Sequence, residues 1–219
     1  MIKNDSKEAR VLLQYLQESY KCGEPIFLSD IHIKGMNRPN LYQQIKTLTD
    51  NGKICRYQQG IYYFPKVTRY GFTAVPSAET IATYKYVARR GRVQGFYSGF
   101  TFANMIRIST QVPQIMEIVT NNIRAVVREI PIGGRRFIVR SSKVVISETN
   151  VNVLRLLDLL KHFDRYLGCG YDEARERIKS YIFQTKICQQ DIDQYISKFP
   201  DSTFRFYHQL GLDDVFASR

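Results

Sequence analysis

The sequence predicts an α+β protein, because helical and extended patterns occupy different parts of the chain. Apolar residues recur at helical spacing in residues 6–52, and two β-prone runs around a glycine-containing turn follow at 53–64. Extended segments dominate residues 92–148, and helical periodicity returns over residues 151–212. Strands and helices segregated along the chain in this way are typical of an α+β fold.

Two domains account for these patterns. We expect residues 1–66 to form a helical domain that ends in a hairpin. Residues 67–219 are then a C-terminal α+β domain with a small antiparallel sheet, helices and a helical tail. Between them, Val67–Ser77 contains Gly71 and Pro76 without clear periodicity, which predicts a connector.

The N-terminal domain begins with a predicted helix, Ser6–Tyr20, whose apolar residues recur every three to four positions. A short apolar run, Pro25–Leu28, precedes Ser29, which is suited to cap a brief second helix. After a break at Gly35, the segment Asn37–Gly52 predicts a third helix.

Both ends of the third helix carry recognisable signals. Asn37 is an N-cap residue, Pro39 stands in the first turn, and Gly52 follows the last turn. One face is apolar and is expected to pack inward, through Leu41, Ile45 and Leu48. The opposite face is polar and has no carboxylate before Asp50.

The order of helix, short helix, polar-faced helix and hairpin is that of a winged helix-turn-helix. A helix with an outward row of amides, hydroxyls and cations suits the major groove of DNA. The candidate DNA-binding residues are Arg38, Asn40, Gln43, Lys46, Thr47, Arg56 and Gln58. A solvated polar face, or a winged helix that docks a protein, would show the same pattern.

Charge favours a polyanionic partner. The chain has 32 basic and 20 acidic residues, a net charge of +12. The excess is +4 in residues 1–66, +8 in 67–150 and zero in 151–219. A charge that serves only solubility is the alternative.

Metal and membrane functions receive no support from the sequence. The four cysteines have no Cys-x-x-Cys spacing and the three histidines stand apart from them, so we expect no metal, no cofactor and reduced thiols. The sequence has no apolar run of membrane-spanning length and no signal-peptide pattern. We therefore expect a cytoplasmic protein with no membrane partner.

The C-terminal domain opens with a predicted helix from Ser77 to Arg89-Arg90 that stops at Gly91. Gly95–Asn104 predicts a bend and a short helix. The strands that follow are predicted at Ile115–Thr120, at Ala125–Ile130 and Arg136–Arg140 around a Pro131–Gly134 turn, and at Lys143–Ser147. Helices are predicted around Val153–Leu160, Ala174–Ile182, Asp191–Phe199 and Ser202–Leu210.

Short motifs in this domain resemble those of the AbiEi-type antitoxins of type IV toxin–antitoxin, or abortive infection, systems. They are Tyr97-Ser98-Gly99, Ala103-Asn104, Ser109-Thr110-Gln111-Val112-Pro113 and Val119-Thr120-Asn121, followed by a basic strand pair. The wing sequence Gly60-Ile61-Tyr62-Tyr63 also matches, so the resemblance covers roughly residues 6–150. One departure is Arg107-Ile108, where the family often has leucine-glycine.

The resemblance implies a bifunctional antitoxin. Its winged helix would repress its own operon by binding promoter DNA, and its C-terminal domain would counteract a nucleotidyltransferase-like toxin without a stable complex. Because one winged helix reads only a few base pairs, we expect two copies on an inverted repeat.

The shared motif residues have simple structural interpretations. Gly99 permits a sharp bend, and Ser98 caps the next helix. Pro113 fixes the direction in which the chain leaves the turn, and Gln111 satisfies backbone groups within it. Contact with a partner is the alternative role.

A basic hairpin provides a candidate antitoxin surface, made of Gln111, Arg124, Arg128, Arg135 and Arg136, with Arg140 nearby. Such cations suit operator phosphates or an RNA that the toxin also needs. Ion pairs between these arginines and the acidic tail are the alternative.

Two other classes of protein compete with the antitoxin. One is a winged-helix transcriptional regulator whose C-terminal domain senses a ligand and which has no toxin partner. The other is a nuclease, which needs converging carboxylates to hold metal ions. Residues 67–150 contain only Glu79, Glu117, Glu129 and Glu148, so we expect no enzyme activity.

Overall fold

The computed structural model describes residues 7–67 and 69–217 and confirms the α+β class. The chain divides into two compact units, residues 1–81 and 82–219, so the division lies C-terminal to the boundary expected at residue 66. Ser6, the predicted first residue of the first helix, and Thr68, within the predicted connector, lie outside the described residues.

The N-terminal unit contains a three-stranded antiparallel sheet in the order β1-β3-β2. Its elements are α1 (Lys7–Ser19), β1 (Pro25–Phe27), a 3-10 turn (Leu28–Asp30), α2 (Arg38–Asp50), β2 (Cys55–Gln58), β3 (Ile61–Tyr63), β4 (Lys66–Val67) and β5 (Thr73–Ala74). Strands β4 and β5 pair with each other, so part of the predicted connector is a small hairpin.

Helix α2 begins and ends where its sequence signals predict. The Asn37 side chain accepts a hydrogen bond from the backbone N–H of Asn40 at 2.9 Å, and Gly52 has a φ of +68° just beyond the helix. The apolar face is buried as expected, since Leu41, Ile45 and Leu48 are at most 3% exposed. Around them, α1 and the sheet complete one apolar core, which fixes the side of α2 that faces outward.

The C-terminal unit has a four-stranded sheet in the order β10-β11-β9-β8. Helix α3 (Ala78–Ala82) contains the division between the two units. The elements that follow it are a π-helical turn (Thr83–Val87), β6 (Ala88–Arg89), β7 (Arg92–Val93), β8 (Gly95–Ser98), α4 (Gly99–Met105), β9 (Met116–Thr120), β10 (Val127–Ile132), β11 (Arg135–Ser141), α5 (Val151–Leu160), α6 (Phe163–Tyr166), α7 (Tyr171–Thr185), α8 (Gln189–Ile196), α9 (Asp201–Gln209) and α10 (Asp214–Ala217). The β11–β9 pair is parallel, so this sheet is mixed rather than wholly antiparallel.

The helix predicted to run from Ser77 to Arg90 is wrong in its second half. The α-helix ends at Ala82, and Arg89 lies in a strand that pairs with Arg92 across the Arg90-Gly91 turn. The side-chain amides of Gln94 and Asn122 each donate to the carbonyl of Lys85 at 2.8 Å. These tertiary hydrogen bonds are made to the Lys85 carbonyl within the π-helical turn, whereas helical periodicity alone predicts a continuous α-helix through this segment.

The strand predicted at Lys143–Ser147 is also wrong. Its backbone bonds to side chains: the Asn121 amide donates to the Ile146 carbonyl at 2.8 Å and accepts from the Ile146 N–H at 2.9 Å. Asn150 likewise donates to the Val145 carbonyl and accepts from the Ser147 N–H. Asparagine offers both a donor and an acceptor, so these two side chains replace a strand partner.

Helices α4–α9 pack around an apolar core, and a second cluster, including Phe96, Val119 and Leu154, joins the sheet to α5. In the described ranges, every helix is too short or too polar to span a lipid bilayer.

Candidate nucleic-acid interface

The outward side of α2 presents Tyr42, Gln43 and Lys46 to solvent. Gln43 and Lys46 were predicted to face outward, whereas Tyr42, with 57% of its surface exposed, was missed. Its position is explained by helical spacing, since Tyr42 and Lys46 are four residues apart and share a face. An exposed tyrosine beside an amide and a cation offers both apolar contact and hydrogen bonding.

Two other predicted interface residues on α2 make bonds within the protein. The Arg38 guanidinium donates to the backbone carbonyls of Leu28 at 2.8 Å and Ser29 at 3.2 Å. The Asn40 side chain accepts from Gln44 at 2.8 Å. Arg38 therefore ties α2 to the preceding 3-10 turn, and Asn40 orients a buried glutamine.

The remaining predicted residues lie at the end of α2 and in the hairpin. The Thr47 hydroxyl donates to the Gln43 carbonyl at 3.1 Å, within the helix. Arg56 is exposed on β2, and Gln58 is half-buried beyond a bulge in the same strand. The hairpin turn is held to the 3-10 turn because the Leu28 N–H donates to the Gly60 carbonyl at 2.9 Å.

The candidate antitoxin surface is not one patch. Arg124 and Gln111 lie outside the strands, and the register of β10 and β11 places Arg128 and Arg135 on one sheet face. Arg136 lies on the opposite face, because successive strand residues alternate. There it pairs with Glu129 of the same hairpin at 3.3 Å.

Arg140 lies on the same face as Arg136 but joins a largely buried ionic cluster. Its guanidinium is 3.1 Å from a carboxylate oxygen of Asp158 and 3.7 Å from one of Glu117, and it donates to the Ser98 hydroxyl at 2.9 Å. Burial alone would lower the pKa of Arg140, but the carboxylates, Asp158 foremost, hold that pKa above its usual value. Burial raises the pKa of neighbouring Tyr166 to about 12, and both carboxylates act in the same direction. An ion pair with the tail, which was the alternative role for these arginines, is present at Arg140, but it is largely buried and not on the surface.

This cluster corrects the roles expected for the Ser98-Gly99 motif. The Ser98 hydroxyl accepts from Arg140 and makes no capping bond to α4. Gly99 has a φ of +59°, and a Cβ there would lie 2.5 Å from the Glu117 carboxylate. The bend predicted at Gly99 is present, and the missing side chain also leaves room for a charged group.

Gln111 differs from its expected role as well. Its side chain is exposed, and the hydroxyl of Ser109 accepts the Gln111 N–H at 3.2 Å. A serine therefore satisfies a backbone group of this turn.

The fold and this interface define a two-unit α+β protein whose first unit displays a polar helix with an exposed cation. The chain belongs to a family of unknown function (DUF6088), whose model matches residues 13–180. No protein with a curated description matches the chain. The family match extends from α1 into α7 and thus includes parts of both units.

Proposed function

We propose that the N-terminal unit is a winged helix-turn-helix that binds double-stranded DNA, with α2 as the recognition helix. The observation that carries this proposal is the outward row of Tyr42, Gln43 and Lys46 on a helix whose opposite side is buried. The order of α1, β1, the 3-10 turn, α2 and the β2–β3 hairpin supports it.

Each group has a defined task in this arrangement. Gln43 can hydrogen-bond base edges in the major groove, and Tyr42 can contact a thymine methyl group or a phosphate. Lys46 and Arg56 supply phosphate contacts from the helix and the hairpin. Arg38 acts indirectly, because its guanidinium fixes the start of α2.

We further propose that the protein represses its own operon and neutralises a nucleotidyltransferase-like toxin. The sequence resemblance to AbiEi-type antitoxins supports this second activity. A repressor works where its operator is, so we place the protein in the cytoplasm.

The ligand-sensing regulator is a second candidate function. It is favoured by a cavity in the C-terminal unit of about 230 Å³, which is lined by apolar and cationic side chains. A regulator without a toxin would need such a site to receive a signal.

Lys46→Ala and Gln43→Ala are expected to weaken DNA binding in different ways. Loss of Lys46 should lower affinity for every duplex and reduce the slope of log affinity against log salt by about 1, because a phosphate contact is lost. Loss of Gln43 should cost about 1–3 kcal/mol at the cognate promoter only. Electrophoretic shift assays with promoter and scrambled duplexes, over a salt series, measure both effects.

Arg10→Ala is the matched control, since Arg10 is an exposed cation on α1 and lies outside the proposed interface. It should leave affinity nearly unchanged. Absence of binding at low salt, or equal effects of all three substitutions, would refute the recognition-helix proposal.

The antitoxin proposal predicts that repression and rescue are separable. The full-length chain carrying Gln43→Ala and Lys46→Ala should fail to repress a promoter reporter, because both groups lie on the DNA-binding face. It should still restore growth to cells that express an adjacently encoded nucleotidyltransferase-like protein. Growth curves and reporter activity in the same strain measure both outcomes.

The wild-type chain is the positive control for both readouts. Loss of rescue in the double variant at unchanged protein level would indicate that α2 itself neutralises the toxin. Failure of the wild-type chain to rescue would favour the regulator without a toxin partner.

A further inference from the structure

A cavity of about 230 Å³ lies within the C-terminal unit, between the sheet and the helical tail. Its walls come from the end of β11 and the loop that follows, from α5, and from the connection between α8 and α9.

The charges around this cavity are unbalanced. Lys143, Lys161 and Lys198 come from three separate segments, and none forms an ion pair with any residue that the structure describes. Asp158, the one carboxylate among the described residues of the lining, is held by Arg140 at 3.1 Å. Three lysines therefore line the cavity without an ion-pair partner among the described residues, which favours an anion there.

The rest of the lining is apolar. Phe96, Val119 and Leu154 form a buried wall, and Phe199 is half-buried beside them. Val127, in contrast, is 56% exposed at the start of β10. A ligand with a ring or other apolar part would cover this exposed surface, which is favourable in proportion to the area removed from water.

The backbone that carries Lys143 is held in place by side-chain hydrogen bonds. Lys143 stands at the start of the loop whose backbone is held by the Asn121 and Asn150 side chains. The Ser142 hydroxyl accepts the Val144 N–H at 3.3 Å and donates to its carbonyl at 2.6 Å, which closes a tight turn around Lys143. Side chains, and not a neighbouring strand, bond the backbone of this loop. Lys143 therefore lies in a turn at the cavity and not within a strand of the sheet.

We propose that this cavity binds a nucleoside phosphate, with the ring system against the apolar wall and the phosphate among the three lysines. A phosphate monoester carries up to two negative charges at pH 7, whereas a carboxylate carries one, so three lysines in the lining suit the phosphate better. The volume is below the roughly 300–1,000 Å³ of drug-sized pockets, which favours one nucleotide over a dinucleotide. This inference is independent of DNA binding by α2.

Titration calorimetry on the full-length chain tests the proposal. The probes are AMP, GMP, CMP and UMP, with inorganic phosphate and the four parent nucleosides as separate arms. At least one nucleotide should bind, and phosphate and nucleoside alone should bind about tenfold or more weakly, because each lacks half of the contacts.

Lys143→Ala combined with Lys161→Ala should weaken nucleotide binding by about tenfold or more, since two charges at the cavity are removed. Lys179→Ala is the matched control, because Lys179 pairs with Glu176 on α7 and does not line the cavity. Circular dichroism should show the same helix content in all variants. The DNA-interface variant Lys46→Ala should bind the nucleotide like the wild type, which separates this test from that of the proposed function.

Three results would overturn the inference. One is no binding of any of the four nucleotides at millimolar concentration. Another is unchanged affinity in the double lysine variant, which would place the nucleotide elsewhere. The third is inorganic phosphate binding as tightly as the nucleotides, which would leave a simple anion site without a role for the apolar wall.

Discussion

Arg140→Met is expected to lower the free energy of unfolding of the C-terminal unit by about 3–5 kcal/mol. The substitution keeps an unbranched side chain but removes the cation that lies between Asp158 and Glu117. Both carboxylates are largely shielded from water, with 10% and 21% of their side-chain surfaces exposed. Without Arg140 they would face each other as uncompensated charges in a poorly solvated site. Urea unfolding followed by circular dichroism measures the loss.

Arg136→Met provides a closely matched control. Arg136 lies on the same strand and face, but its ion pair with Glu129 is exposed on both sides. Exposed pairs contribute little, so this variant should lose less than about 1 kcal/mol. Equal losses of unfolding free energy in the two variants would contradict the expectation that the buried ion pairs of Arg140 contribute more than the exposed pair of Arg136.

Gly95→Ala is expected to destabilise the same unit by about 3 kcal/mol or more, the upper end of the cost of overpacking. A Cβ at this position would lie 2.1 Å from the carbonyl oxygen of Tyr86 and 2.5 Å from that of Val119. Both are backbone atoms, so no side-chain rotation can relieve the contact. Either the π-helical turn or strand β9 must move, and the pairing of β8 with β9 would be strained.

Gly170→Ala is the control for this prediction. Gly170 precedes α7 with a φ of −65°, and a Cβ there would meet nothing within 4 Å. Its effect should stay within about 1 kcal/mol, because only helix capping and chain entropy change. Thermal unfolding of both variants, followed by circular dichroism, decides the matter. A Gly95→Ala midpoint as high as that of Gly170→Ala would contradict the backbone clash.

The parts of the fold that were predictable from sequence depend on local signals. The caps of α2 at Asn37 and Gly52 and its buried face are set within a few turns of helix, and the structure confirms them. The hairpin after Gly52 is equally local. Helical spacing places Tyr42 on the outward face as well, but the predicted face included only polar residues.

The errors come from contacts that are distant in sequence. The strand predicted at Lys143–Ser147 has the right β-prone residues, but the side chains of Asn121 and Asn150 bind its backbone. Local β-propensity cannot show whether this backbone forms its hydrogen bonds with a neighbouring strand or with distant side chains. The cavity was beyond prediction for the same reason, since Lys143 and Lys198 line the same cavity only through the packing of the tail.

One signal for the buried ionic cluster was present in the sequence. Asp158 interrupts the run Leu156–Leu160, where its neighbours on both sides are buried leucines. A single carboxylate in such a run needs a cationic partner, because an unpaired buried charge is costly. The sequence does not say which of the many arginines that partner is, and the sheet register supplies the answer, Arg140.

The 3-10 turn Leu28–Asp30 has a mechanical consequence for the N-terminal unit. Its first residue bonds the hairpin through Gly60, and its carbonyls bond the start of α2 through Arg38. Hairpin and helix are thus braced against one short segment and are expected to move together. In the DNA complex that we propose, a duplex would meet a stiff template of fixed spacing, so the adjustment of shape that tight docking requires would fall on the nucleic acid. Sequences that bend or twist easily would then be favoured even at base pairs that no side chain touches.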